Sequence, residues 1–217
     1  MTDSSRSLTE RINTVGIVPV VVLDDADRAY DLALALRDGG VGCAEFTLRT
    51  PAGLAAIAAT AGIEGFLAGA GTVLTTEQAD AAIDAGATFA VTPGYDPAIA
   101  DRLRAGGVAV VPGVATPTEV QRALSDGFTD VKVFPAGHLG GASYLDALHG
   151  PFPGMRFVPS GGVSPDSLGD YLRRPWVLAA SGSWMVPRDA IARGDFDAIA
   201  AAAADCARIR DDARSAR

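Results

Sequence analysis

"TFAVTPGYDPAIADRLRAGG", residues 88–107, contains one complete unit of the architecture. TFAVTPG is a short apolar run closed by Pro93 and Gly94. A run with no polar alternation is what a strand covered on both faces looks like. DPAIADRLRAGG is amphipathic and stops at two glycines, the pattern of a helix with one face against a sheet.

The unit recurs in both directions. Toward the C-terminus come VAVVPG (108–113) with TPTEVQRALSDG (116–127), and DVKVFPA (130–136) with ASYLDALHG (142–150). MRFVPSGG (155–162) with SPDSLGDYLRR (164–174) follows, then WVLAASGSW (176–184) with an alanine-rich helix near 195–207. Toward the N-terminus lie GFLAGAGT (65–72) with TEQADAAIDAG (76–86), and CAEFTL (43–48) with a helix from Pro51 to about Ala61. VGIVPVVVL (15–23) with DDADRAYDLALALRDGG (24–40) comes first. Gly86, Gly107 and Gly127 end three successive helices at nearly even spacing.

Eight such units with no second composition block predict an α/β fold, a (β/α)8 TIM barrel, as one domain over residues 1–217. A doubly wound sheet would need fewer strands and a glycine fingerprint after the first, where DDADR stands. Ser7-x-x-Glu10 reads as a capping box opening a short N-terminal capping helix to about Asn13. The tail RIRDDARSAR, residues 208–217, reads as solvated.

The 217 residues carry a formal charge of −8 and are 48% hydrophobic, a globular composition. An acidic surface repels phosphate backbones and anionic lipid, so neither nucleic acid nor membrane is an expected partner. Cys43 and Cys206 form no C-x-x-C pattern and read as buried free thiols. MTDSSRSLTE has no apolar signal region, and no apolar run approaches the ~18 residues a span requires, so a cytoplasmic location is expected. His138 and His149, eleven residues apart, do not have the spacing of a metal-binding pair.

In a barrel of this type chemistry sits at the C-terminal ends of the strands. Alternation puts Cys43, Glu45, Thr47 and Arg49 on one side of the second strand. A buried glutamate there needs a partner or a raised pKa, and an internal Glu45–Arg49 pair would supply one. The sixth strand puts Lys132 and Phe134 on one side, Val131 and Val133 on the other. Lys132 is the only lysine beside seventeen arginines. A lone lysine can simply lie with its stem on apolar surface. Unlike arginine, it can also lose its proton, attack a ketone and form a Schiff base. The seventh and eighth strands end in PSGGVSP and ASGSW, making Ser160, Gly161, Gly162, Gly182 and Ser183 candidates for a phosphate cradle. Thr72, in GAGTVL, is a candidate carboxylate donor.

Taken together, EFTLRT, GAGTVL, TPG, VKVFPA, SGGVSP and SGSW resemble one family over nearly the whole chain. It is the 2-keto-3-deoxy-6-phosphogluconate (KDPG) aldolase family, also called 4-hydroxy-2-oxoglutarate (KHG) aldolases. The resemblance implies a class I aldolase, a homotrimer, and no metal or organic cofactor. Position by position, Lys132 resembles the Schiff-base lysine and Glu45 the general acid/base. Arg49 and Thr72 match the pyruvate-carboxylate positions, and Pro93 and Phe134 match pocket walls. Ser160, Gly161, Gly162 and Ser183 match the phosphate end. The implied substrate is a phosphorylated keto acid. Three rivals remain: a sugar-phosphate isomerase or epimerase, a metal-dependent aldolase with Glu45 as ligand, and a non-catalytic sugar-phosphate binder. The same resemblance admits two alternative substrates, the epimer 2-keto-3-deoxy-6-phosphogalactonate and unphosphorylated KHG.

Overall fold

The structure, a computed structural model, describes residues 8–217. Ser7, and with it the expected capping box, lies outside the described residues. Glu10 is inside them and belongs to helix α1, Leu8–Val15.

The chain is an α/β fold built on parallel strands. The strands are β1 (Ile17–Val21), β2 (Cys43–Thr47), β3 (Leu67–Gly71), β4 (Phe89–Val91), β5 (Ala109–Val111), β6 (Gly113–Val114), β7 (Asp130–Val133), β8 (Arg156–Pro159) and β9 (Ala180–Gly182). One sheet has the order β5-β4-β3-β2-β1-β9 and the other β6-β7-β8. Single parallel bridges, Phe157 to Val177 and Ser160 to Ser181, join β8 to the segment of β9. Only Pro112 separates β5 from β6, and its carbonyl accepts from Lys132 N at 2.8 Å. Proline has no N–H to give a ladder, which breaks the expected fifth strand in two.

Seven helices follow the strands: α2 (Ala29–Asp38), α3 (Ala52–Thr60), α4 (Thr76–Asp84), α5 (Pro97–Ala105), α6 (Pro117–Ser125), α7 (Gly141–His149) and α8 (Pro165–Leu172). Local chemistry sets their starts. Asp96 caps α5 by accepting from Ala98 N and Ile99 N, and Thr116 with Glu119 forms a capping box on α6. Gly86, Gly107 and Gly127 have φ of 84°, 78° and 81°, the left-handed turn that leads each helix back to a strand.

Alternation along the strands divides the apolar residues into two cores. Ala44, Phe46, Val131 and Val133 pack outward against the helices. Cys43, Leu67, Phe89, Val111 and Val158 pack together on the other face, where Ile12 of α1 joins them. Arg156 at the start of β8 ties this end together through Glu10 of α1 at 2.7 Å and Asp130 of β7 at 2.6 Å.

Two expectations need correction. The strands are shorter than their apolar runs, because the residues past each ladder leave it for the loop that leads to the next helix. The tail is exposed over six of its ten residues, but it is helical and tied down rather than simply solvated. A short helix α9 (Arg188–Arg193) precedes α10, which runs from Phe196 to Ser215 and includes most of residues 208–217. Arg210 donates to Val15 O at 2.8 Å, Arg214 to Asn13 O at 2.6 Å and Leu178 O at 3.0 Å, and Arg217 to Leu172 O at 2.7 Å. These guanidinium forks satisfy carbonyls where the chain enters and leaves the sheet, so a polar composition here does not mean a solvated segment. Deleting residues 208–217 should cost on the order of 3 kcal/mol. That corresponds to a Tm lower by about 10 °C for a chain of this length. An unchanged melting curve would show that the arginines are ornamental.

Candidate active site

Where the strands end, Val20, Glu45, Arg49, Thr72, Pro93, Lys132, Phe134, Ser160 and the Gly161–Gly162 and Gly182–Ser183 turns line one pocket of about 340 Å³. All of the candidate residues read from the sequence come together here. Val20 was not among them. Its signal was present: it lies two residues beyond Val18, which packs in the inner core, so it faces the same way.

Lys132 and Glu45 are 87 positions apart in sequence, yet Lys132 Nζ donates to Glu45 Oε1 at 3.3 Å. The lysine is 6% exposed and the glutamate 1%. Burial pushes the Glu45 carboxyl above the usual range, against the pull of Lys132 and, more weakly, Arg49. The partner of Glu45 is therefore Lys132 rather than Arg49, the alternative that the second strand alone left open. Arg49 sits past the end of β2 and makes no salt bridge among the described residues, which leaves its guanidinium for a ligand. The Lys132 ammonium also lies 5.6 Å from the centre of the Phe134 ring.

Glycines in the strands make room for this arrangement. A Cβ on Gly71 would come within 2.4 Å of Glu45 Cγ, and one on Gly69 within 2.2 Å of the Phe89 ring. The glycines of GAGT thus give space to the Glu45 carboxylate and a core ring. Thr72 is the only non-glycine residue with positive φ among the described residues, at 60°. Such a conformation costs energy and is more often tolerated at sites of function. Pro93 closes tightly over Gly113, where a Cβ would lie 2.3 Å from the proline carbonyl carbon.

Elsewhere in the pocket lining, Gly161 and Gly162, the former beside the Phe134 ring, have φ of 82° and 79°. Their N–H groups donate to no backbone carbonyl among the described residues, whereas Gly161 O accepts from Gly137 N at 2.8 Å. Successive N–H groups in this conformation form a concave donor set suited to an anion. Ser160 is buried beside them, and Ser183 follows Gly182, whose missing Cβ makes room for the Trp184 ring. The pocket thus has a cationic, titratable end at Lys132, Glu45 and Arg49, and an N–H and hydroxyl end at the two turns. His149 lies elsewhere, stacked on Trp176 with ring centres 4.5 Å apart. No cluster of three metal-ligating side chains occurs among the described residues.

A family model described as "Aldolase: KDPG and KHG aldolase" matches residues 8–202. A 2-dehydro-3-deoxy-phosphogluconate aldolase from Treponema pallidum is 45% identical over 196 residues, 90% of this chain and 93% of its own. A KHG/KDPG aldolase from Escherichia coli is 40% identical over 196 residues, 89% of this chain and 92% of its own. Among solved structures, a KDPG aldolase from Legionella pneumophila superposes with a TM-score of 0.87 at 33% identity, covering 92% of this chain and 98% of that one. That crystal holds pyruvate captured at low pH as a covalent carbinolamine intermediate.

Proposed function

The chain belongs to the KDPG and KHG aldolase family, and from that premise we propose that it is a class I aldolase. It cleaves KDPG to pyruvate and glyceraldehyde 3-phosphate through a Schiff base on Lys132. The observation that carries this assignment is the buried Lys132–Glu45 contact of 3.3 Å at the floor of a pocket whose wall includes a donor-lined turn.

In this mechanism Lys132 Nζ, as the neutral amine, adds to the C2 ketone, and loss of water gives the protonated imine. Glu45 removes the C4 hydroxyl proton. The C3–C4 electron pair moves into the imine, the bond breaks and the aldehyde departs. The remaining enamine of pyruvate takes a proton at C3, and hydrolysis frees the lysine. Arg49 and Thr72 hold the carboxylate, with the planar guanidinium able to grip both oxygens and fix the ketone against the amine. Pro93 and Phe134 wall the carbon chain. Ser160, Gly161, Gly162, Gly182 and Ser183 receive the phosphate.

The same reading gives the finer architecture. The two sheets make one closed (β/α)8 barrel, with the Phe157–Val177 and Ser160–Ser181 bridges closing one seam and the Pro112 break closing the other. Helix α1 plugs its lower end through Ile12. We expect three 22.1 kDa chains per particle and a cytoplasmic enzyme, in keeping with two free cysteines and no helix among the described residues long and apolar enough to cross a membrane.

Release of pyruvate from KDPG, followed continuously, tests the assignment, and absence of release at saturating substrate would sink it. Two variants then locate the ends of the substrate. Arg49→Ala should lower kcat/KM by about 30- to 1000-fold for KDPG and unphosphorylated KHG alike, since both carry the 2-keto acid head. Ser183→Ala should raise KM about tenfold for KDPG and leave KHG nearly unaffected. Equal losses on both substrates for the serine variant would move the phosphate elsewhere. Gly162 is less informative, because its φ of 79° strains any side chain whether or not phosphate binds there.

A further inference from the structure

The mechanism uses one oxygen of the Glu45 carboxyl. Oε1 faces Lys132, while Oε2 is buried with no protein partner within hydrogen-bonding geometry. Beneath the floor of the active site is a second, much smaller cavity of about 10 Å³. Its walls are Glu45, Ser181 and apolar side chains including Ile12, Val18, Phe89 and Val158. Ser181 lies in β9 opposite Val18 of β1, is 1% exposed, and its Oγ also lacks a partner. Two orphaned oxygens thus share one apolar cavity, an arrangement folded proteins rarely leave unresolved.

We propose that Ser181 is a positioning residue for Glu45. Its hydroxyl donates to Oε2, directly or through one water held in the cavity, and keeps the carboxylate poised for proton transfer at Oε1. The inference rests on Glu45 being the proton-transfer group of the aldol reaction. A hydroxyl rotates freely about its bond, so it can close the contact without moving the backbone. A cavity of this size is at the lower limit for one water.

The need for such a donor follows from the charge cycle of the reaction. Burial drives Glu45 toward its neutral form, and Lys132 and Arg49 oppose that; a hydroxyl donated by Ser181 would act in the same sense as the two cations. Cys43, two residues back on the same face, is held protonated by burial and by Glu45 itself. Lys132 is neutral when it attacks and again as the enamine. At both points Glu45 loses its nearest cation, while a neutral donor on Oε2 persists. That donor binds the ionised carboxylate more strongly than the acid, so it holds the carboxyl pKa down throughout the cycle.

The test uses Ser181→Ala, which removes one oxygen from the apolar cavity and should fold. Exchange of the pyruvate methyl protons is measured against pH for wild type, Ser181→Ala and Glu45→Gln. The Glu45 carboxyl is also titrated directly by carbon-13 NMR, which is practical because the chain has only five glutamates and Glu45→Gln assigns the signal. We expect the acidic limb and the NMR midpoint of Ser181→Ala to move to higher pH by about 0.5–1 unit. Ser181→Cys, nearly isosteric with a weaker donor, should fall between. Superimposable profiles for wild type and Ser181→Ala, with the limb lost in Glu45→Gln, would overturn the role of Ser181 alone. A limb that survives in Glu45→Gln would overturn the assignment of Glu45 and this inference with it.

Discussion

Lys132→Arg should yield a folded protein whose turnover is reduced by about four orders of magnitude or more. The substitution retains the positive charge opposite Glu45, so the buried carboxylate is not stranded, and the longer side chain can extend into the 340 Å³ pocket. What is lost is the ability to give up a proton, since a guanidinium stays protonated at any working pH. Covalent trapping separates this cause from a packing defect. Borohydride with pyruvate should add one reduced pyruvyl group per wild-type chain, at Lys132, and none to the variant. The chain has no other lysine, so intact mass followed by peptide mapping gives an unambiguous position. Turnover above one per cent in a well-folded Lys132→Arg protein, or active wild type that traps no adduct at Lys132, would end the Schiff-base mechanism. The rival isomerase, metal-dependent aldolase and binding-protein readings all predict no adduct.

Glu45→Gln should still form the imine but slow both cleavage and methyl-proton exchange by about 10²–10⁴-fold, the usual contribution of a general acid–base group. Glutamine is nearly isosteric, so the space Gly71 provides for this side chain remains filled. Burial raises the Glu45 carboxyl above the usual range, and the base form is the ionised one. Wild-type kcat/KM should therefore fall as pH drops through a midpoint nearer neutrality than an exposed glutamate would give, and the glutamine variant should lack that limb. Near-normal exchange in Glu45→Gln would leave Glu45 a structural counter-ion to Lys132.

The repeating unit was legible because its signals are local. The apolar run of TFAVTPG and the helix of DPAIADRLRAGG each depend on neighbours within a few residues. Positive-φ glycines at 86, 107 and 127 are backbone requirements that the sequence writes directly. The lone lysine and the side of the strand shared by Glu45 and Arg49 were legible for the same reason, since alternation along one strand needs no knowledge of the next. Pairing between strands was not. Lys132 meets Glu45 because each strand end is placed across a shared pocket, and that depends on register and curvature summed over 87 residues. Composition likewise misled at residues 208–217, where arginines that read as solvated reach carbonyls of residues 13, 15, 172 and 178. Ser181 carries no chemical signal in sequence, and Val20 carries only the alternation that aligns it with Val18. What gives one its place under Glu45 and the other its place in the pocket wall is the packing of side chains from several strands into one interior, which only the tertiary structure decides.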